Sequence, residues 1–192
     1  MNAIFEATIQ VLLNDGLLRL STTRVAHRAG VSVGTLYQYF PNKQALLFAT
    51  LERHIAMLAD AVEKACDENR RAPLETIAAA VVRAYLQAKM TQAQVSPALH
   101  RIALELNARE LIELAAGRSE RAIEATLSTA SDGSFSNARV IALTISTALY
   151  GMVPPFCERI MRPADSREAE KQLTIMVRSY LVAALSTYEF PG

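Results

Sequence analysis

Apolar residues return every three to four positions along almost the whole of this 192-residue chain, and the strict alternation of a half-buried strand is scarce. Segments of that period bury a stripe, and only other helices cover a stripe well, so an all-α fold is expected. A content of 51% hydrophobic and 20% charged residues, with only 7 Gly and 7 Pro, supplies the apolar surface such packing needs and excludes the disordered class. The length admits one large core, or a small domain joined to a larger one.

The spacing predicts a first helix over 2–14 with Phe5, Ile9, Leu12 and Leu13 on its buried face, stopped by Asp15-Gly16, which tolerate a left-handed turn. Ser21 and Thr22 offer N-cap hydroxyls to a short second helix that buries Val25, Ala26 and Ala29 and ends at Gly30. Ser32 can cap a third short helix with Leu36 and Phe40 inward; it must end before Pro41, which disfavours helical geometry in the preceding residue. Asn42 can cap a long fourth helix, whose stripe of Leu47, Leu51, Ile55, Leu58, Val62 and Ala65 runs to the charged segment 67–71 and connects two domains. The boundary is placed at 46/47: a three-helix domain over 1–46, and a larger helical bundle over 47–192. In the bundle, helices are expected after Pro73 and after Ser96-Pro97, prolines whose missing N–H costs little at a helix start. Three more follow, from Glu110 to Ala130, Asn137 to Val153 and Ser166 to Tyr188. The last two are apolar on more than one side and need partners on more than one side. The same pair from a second copy would supply them, so a homodimer through the last two helices is expected, although the interior of a monomeric bundle would show the same pattern.

Several classes of function are disfavoured. Cys66 and Cys157 lie far apart without CxxC spacing, which reads as two free thiols. No apolar run approaches the roughly 20 residues that cross a bilayer, and no signal segment opens the chain, so a cytoplasmic protein without membrane contact is expected. His27, His54 and His100 are scattered, and there is no HExxH, no nucleophile elbow and no Gly-rich phosphate loop. Neither an enzyme nor a metal or other cofactor is expected.

The functional signal lies in residues 21–40, STTRVAHRAGVSVGTLYQYF: a two-turn helix, a short turn containing Gly30, and a second short helix with polar and aromatic residues outward, which is how a helix-turn-helix is built. The net charge of +1 conceals a local bias, because between Asp15 and Glu52 the only charges besides histidine are Arg19, Arg24, Arg28 and Lys43. Extended through Leu47, the segment VAHRAGVSVGTLYQYFPNKQALL resembles the TetR family of transcriptional regulators: small Ala26 and Ala29, Gly30-Val31-Ser32, Gly34-Thr35-Leu36-Tyr37, Tyr39-Phe40, and Asn42-Lys43 with Leu46-Leu47. The likeness covers roughly 4–55; beyond it only the helical layout, the length and the apolar final pair are similar.

The resemblance implies a regulator, by the family's habit a repressor, that binds palindromic operator DNA as a dimer and is released by a small-molecule inducer. It makes the third helix the recognition helix of the major groove. Thr22, Thr35, Tyr37 and Lys43 match phosphate-contacting positions, Val33, Gly34, Gln38 and Tyr39 face the bases, and Thr23 and Arg24 reach the groove edge. The chemistry fits these roles: Gln38 can bond adenine bidentately, Val33 can touch a thymine methyl, and Arg24 can take guanine or phosphate. Each has a plainer counterpart, with Thr22 as a simple N-cap, Tyr37 and Tyr39 as half-buried aromatics, and Arg24 and Arg28 as solvated charges. Relatives usually carry a basic arm before the first helix, whereas this chain starts at Met1-Asn2-Ala3. Each lost phosphate contact flattens the salt dependence by about one. A helical dimer that binds ligand or partner, with weakened DNA binding, is the alternative. For the inducer, the resemblance implies a site inside the C-terminal bundle. Met90, His100, Leu104, Tyr150, Met152 and Phe156 are the candidates, being large or adaptable residues near the helix breaks, with core packing as their plainer role. No buried charge is evident there, so an apolar or aromatic inducer is expected.

Overall fold

The computed structural model describes residues 1–91, 94–152 and 163–186, with the backbone alone for 152, 163–166 and 186. These residues form nine α-helices and no strand: α1 (Asn2–Arg19), α2 (Thr22–Ala29), α3 (Val33–Tyr39), α4 (Lys43–Glu68), α5 (Leu74–Thr91), α6 (Ser96–Glu105), α7 (Arg109–Leu127), α8 (Ala138–Thr147) and α9 (Pro163–Ser186), with a π-helical turn over Ala148–Met152. Among them no helix is long and apolar enough to cross a membrane. The chain divides into two units, Met1–Ile55 with Gln92–Leu111, and Ala56–Thr91 with Ile112–Gly192. The division falls inside α4, nine residues past the expected 46/47 boundary, and it assigns α6 to the first unit.

In the first unit, local chemistry sets the helix ends. Ser21 caps α2 by accepting the Arg24 N–H at 3.3 Å, Ser32 caps α3 by accepting the Thr35 N–H at 2.9 Å, and Asn42 caps α4 through Ala45 at 2.8 Å. At the end of α2, Gly30 takes φ 70° and ψ 28°, while the Val31 N–H reaches the Ala26 carbonyl and the Gly30 N–H that of His27. That is a Schellman closure, which only a residue without Cβ adopts cheaply. Gly16, at φ 76° and ψ 169°, kinks α1, which continues for one further turn to Arg19 beyond the expected stop.

The buried face of α1 is turned from the expected one. Ile4, Ala7, Thr8, Val11 and Leu12 are buried, Phe5 and Ile9 are half-buried, and Leu13 is exposed. The helix packs chiefly on α2. Ala7 and Thr8 let the two backbones close up, with the Thr8 hydroxyl satisfied by the Ile4 carbonyl, so the line of small residues faces inward. Phe5 sits at the margin, edge-on to Phe40 and beneath the Arg53 guanidinium. The other expected core positions, Val25, Ala26, Leu36, Phe40, Leu47, Leu51 and Ile55, are buried, while Ala29 is half-buried.

The second unit surrounds Val62, Ile77, Val81, Tyr85, Ile123 and Leu181, with α5 and α9 as its closest helix pair. The loop 129–133 fastens the start of α5, because the Asp132 carboxylate accepts the Leu74 N–H at 2.8 Å and Thr129 Oγ1 accepts that of Arg71. Arg118 on α7 ties the second-unit part of α4 through Asp60 and Glu63. The helix expected to start at Ser166 starts at Pro163, where proline's fixed φ suits the first turn. The one expected to run unbroken to Val153 ends at Thr147 and passes into the π-turn.

Candidate nucleic-acid interface

Two caps and one glycine closure hold α3 against α2, and Leu36 (0% exposed) and Phe40 (5%) anchor its inner side. What remains outward is Gly34, Tyr37, Gln38 and Tyr39, all exposed, with Val33 and Thr35 half-buried beside them. On α2, Thr23 and Arg24 are exposed. Nine of the ten candidate DNA-contact residues therefore reach the surface of one unit. Thr22 differs: it is 8% exposed and its hydroxyl lies 3.0 Å from Tyr37 Oη. It joins the start of α2 to α3, its hydroxyl paired with that of Tyr37.

Gly34 has no internal reason to be glycine, since a Cβ there would meet only Ser32 Oγ, at 3.7 Å. A surface position of this kind leaves room for another backbone to come close. Ser32 Oγ also pairs with Thr35 Oγ1 at 2.8 Å, which holds the first turn of α3.

Oxygens of α1 hold three basic side chains around this surface. Arg24 Nη1 donates to Asp15 Oδ2 at 2.8 Å, Arg28 Nε to Gln10 Oε1 at 2.7 Å, and Lys43 Nζ to the Leu17 carbonyl at 3.1 Å. The Leu17 carbonyl follows directly on the Gly16 kink. Gln10 and Leu17 are supporting groups that the sequence did not single out, and Asp15 was marked there only as part of a helix stop. Only the packing of α1 on α2 and α4 brings them within reach, and no local pattern marks them.

The described candidate inducer residues are divided between the two units. Tyr150 is half-buried in the second unit, with Oη 2.9 Å from Ser119 Oγ and its ring edge-on to Tyr85 at 5.0 Å. Burial raises the Tyr150 phenol above its ordinary pKa, against an opposing effect of the Ser119 hydrogen bond. Met90 is half-buried at the end of α5. His100 and Leu104 lie on the exposed side of α6, Leu104 at 70%, and belong to the first unit, because Leu99 and Ile102 take the inward face of that short helix. The Met152 side chain and Phe156 lie outside the described residues. Tyr85, Ser119 and the buried Lys89 are additions; Lys89, 7% exposed, also corrects the expectation that no charge is buried in this part of the chain. Among the described residues no group of three or more His, Cys, Asp and Glu side chains is placed to hold a metal ion.

Comparison with known proteins agrees with this architecture over both units. Residues 4–50 match the model for bacterial regulatory proteins of the tetR family, and residues 73–181, more than half of the chain, match that for the tetracyclin repressor-like C-terminal domain. A nucleoid occlusion factor SlmA of Actinobacillus pleuropneumoniae is 36% identical over 100 residues, which is 52% of this chain and 46% of that protein. An HTH-type transcriptional repressor, KstR, of Mycolicibacterium smegmatis is 37% identical over 62 residues, covering 32% of this chain and 30% of that protein. The chain thus matches less than half the length of these curated relatives. Solved structures extend the likeness in fold to nearly the full length. A TetR-family transcriptional regulator from Streptomyces coelicolor superimposes with a TM-score of 0.65 at 22% identity, over 96% of this chain and 98% of that one. The TetR family repressor AlkX from Dietzia gives 0.61 at 22% identity, over 95% of each chain. With a helix-turn-helix whose outer face is polar and basic, and both halves matched, the chain belongs to the TetR family of bacterial transcriptional regulators.

Proposed function

We infer that this regulator is a repressor that binds a palindromic operator as a homodimer in the cytoplasm and is released by a small molecule. The observation that carries the reading is the outer face of α3, where Gly34, Tyr37, Gln38 and Tyr39 are exposed while Leu36 and Phe40 are buried behind them. On this reading Val33, Gly34, Gln38 and Tyr39 meet base edges, Thr35, Tyr37 and Lys43 meet phosphates, and Thr23 and Arg24 reach the groove edge. Thr22 acts one step back, through the Tyr37 hydroxyl.

Two recognition helices in successive major grooves require a two-fold pair about 34–36 Å apart. Support for such a pair comes from the exposed apolar stripes of α8 (Val140, Leu143) and α9 (Ile175, Met176, Val182), which leave hydrophobic surface that a second copy of the same helices would cover. For the inducer, the Tyr85–Tyr150 pair supports a ligand with an apolar or aromatic body in the second unit, with Met90, half-buried near the end of α5, as a further candidate. The helix α4 runs without a break from Lys43 to Glu68, so it can carry a ligand-driven shift to the DNA surface. Release then requires the ligand to favour the DNA-incompetent state, typically by about 1–3 kcal/mol.

A gel shift with the DNA upstream of the chain's own gene tests the reading. A saturable shift that an apolar or aromatic compound reverses is expected. No shift at low salt, or reversal only by strongly ionic compounds, contradicts it.

A further inference from the structure

Asp15 stands one residue before the Gly16 kink of α1, and its Oδ2 accepts Arg24 Nη1 at 2.8 Å, with the two side chains 32% and 52% exposed. The pair opens on a groove between α1 and α2 lined also by Val11, Thr23, His27 and Arg28. Its electrostatics differ from those of its neighbours. Arg28 and Lys43 are held by neutral oxygens, of Gln10 and of the Leu17 carbonyl, which leave their positive charge intact, whereas Arg24 faces a carboxylate. A guanidinium carries five N–H donors in a rigid fork. One is given to Asp15, which restrains where the group lies; the other four can be offered to a partner outside the protein.

We propose, building on the operator-binding reading, that Asp15 sets the balance between affinity and sequence selectivity. It neutralises Arg24, so that this arginine serves as an oriented hydrogen-bond donor to a base edge instead of a cation for phosphate. A phosphate gains from a positive charge in any orientation, and each such contact releases counterions whatever the sequence. Beside Arg24 a phosphate also meets the negative charge of Asp15. A base edge such as that of guanine is uncharged and requires the fork in one orientation, toward which the Asp15 contact biases it. Asp15 is then a positioning residue for selectivity that lowers affinity for DNA in general.

The test measures binding of the full chain to two fluorescent duplexes, a palindrome enriched from a random-sequence library and the unselected library itself, across a range of salt. Asp15→Asn is expected to bind unselected DNA more tightly, with a salt dependence steeper by about 0.9. Its preference for the palindrome should fall roughly five- to tenfold, and Asp15→Ala should lower the preference at least as far. In an Arg24→Ala background, Asp15→Asn should raise both affinities alike and leave the preference unchanged. An unchanged or increased preference in Asp15→Asn, or an equal loss with and without Arg24, overturns the proposal. If the library yields no enriched sequence, the operator reading fails instead; the salt dependence on unselected DNA still reads the neutralisation of Arg24, and an unchanged slope there overturns it.

Discussion

Gly34 occupies the second position of α3, where a Cβ would make only an ordinary contact with Ser32 Oγ, so the fold tolerates a methyl group there, whereas on the proposed operator reading a closely approaching base edge does not. Gly34→Ala is expected to leave thermal stability unchanged or slightly raised, since alanine favours helix, while operator affinity falls by about tenfold. Melting and titration of one preparation check both; a loss of stability would show that the glycine serves the fold. Cys66, buried in the second unit, has its thiol pushed up to about 11 by burial, from an ordinary value of 9.0. The unfolded chain therefore releases this proton first, and stability should fall as pH rises through that interval, by at most about 1.4 kcal/mol per unit. Urea unfolding of wild type and Cys66→Ala between pH 8 and about 10.5 checks this, with a shallower decline expected in the variant. At this scale the sequence was legible where chemistry is local, as at the caps Ser21, Ser32 and Asn42. It was silent where a side chain answers to a distant partner. The Thr22 hydroxyl turns to Tyr37, fifteen residues on, and Lys43 to Leu17, so neither arrangement is written in spacing.

Helical period located the elements well and their orientation less well. The α4 stripe from Leu47 to Ala65 is buried as its spacing requires, because a long helix with one apolar side has one way to pack. On α1 the large residues pointed to one face and the small ones to another, and close approach to α2 favoured Ala7 and Thr8, leaving Leu13 outside. The short helix α6 has room for one buried side only, which Leu99 and Ile102 take, so His100 and Leu104 are left exposed. The clearest element-level prediction concerns α8 and α9. Their outward residues Leu143 and Met176 are 48% and 38% exposed in the single chain. Sedimentation at micromolar concentration should give twice the chain mass for the wild type, and the mass of one chain for the Leu143→Asp/Met176→Asp double variant. A wild-type monomer would contradict the two-fold pairing.

For the whole molecule, the two halves are legible to different degrees. DNA contact depends on a short stretch whose helices, turn and outward side chains follow one another in sequence, and a motif can carry that. The proposed ligand site depends on residues brought together from α5, α7 and the π-turn, and no local pattern announces that Tyr85 and Ser119 both meet Tyr150. DNA recognition by α3 is tested by titrating a labelled palindromic duplex, enriched from random sequence, with the full chain and with its Gln38→Ala and Tyr37→Ala variants. Saturation at a whole number of dimers per duplex is expected, with at least tenfold weaker binding for either variant and loss of sequence preference in Gln38→Ala. Equal affinity of all three proteins for the palindrome would contradict recognition by α3.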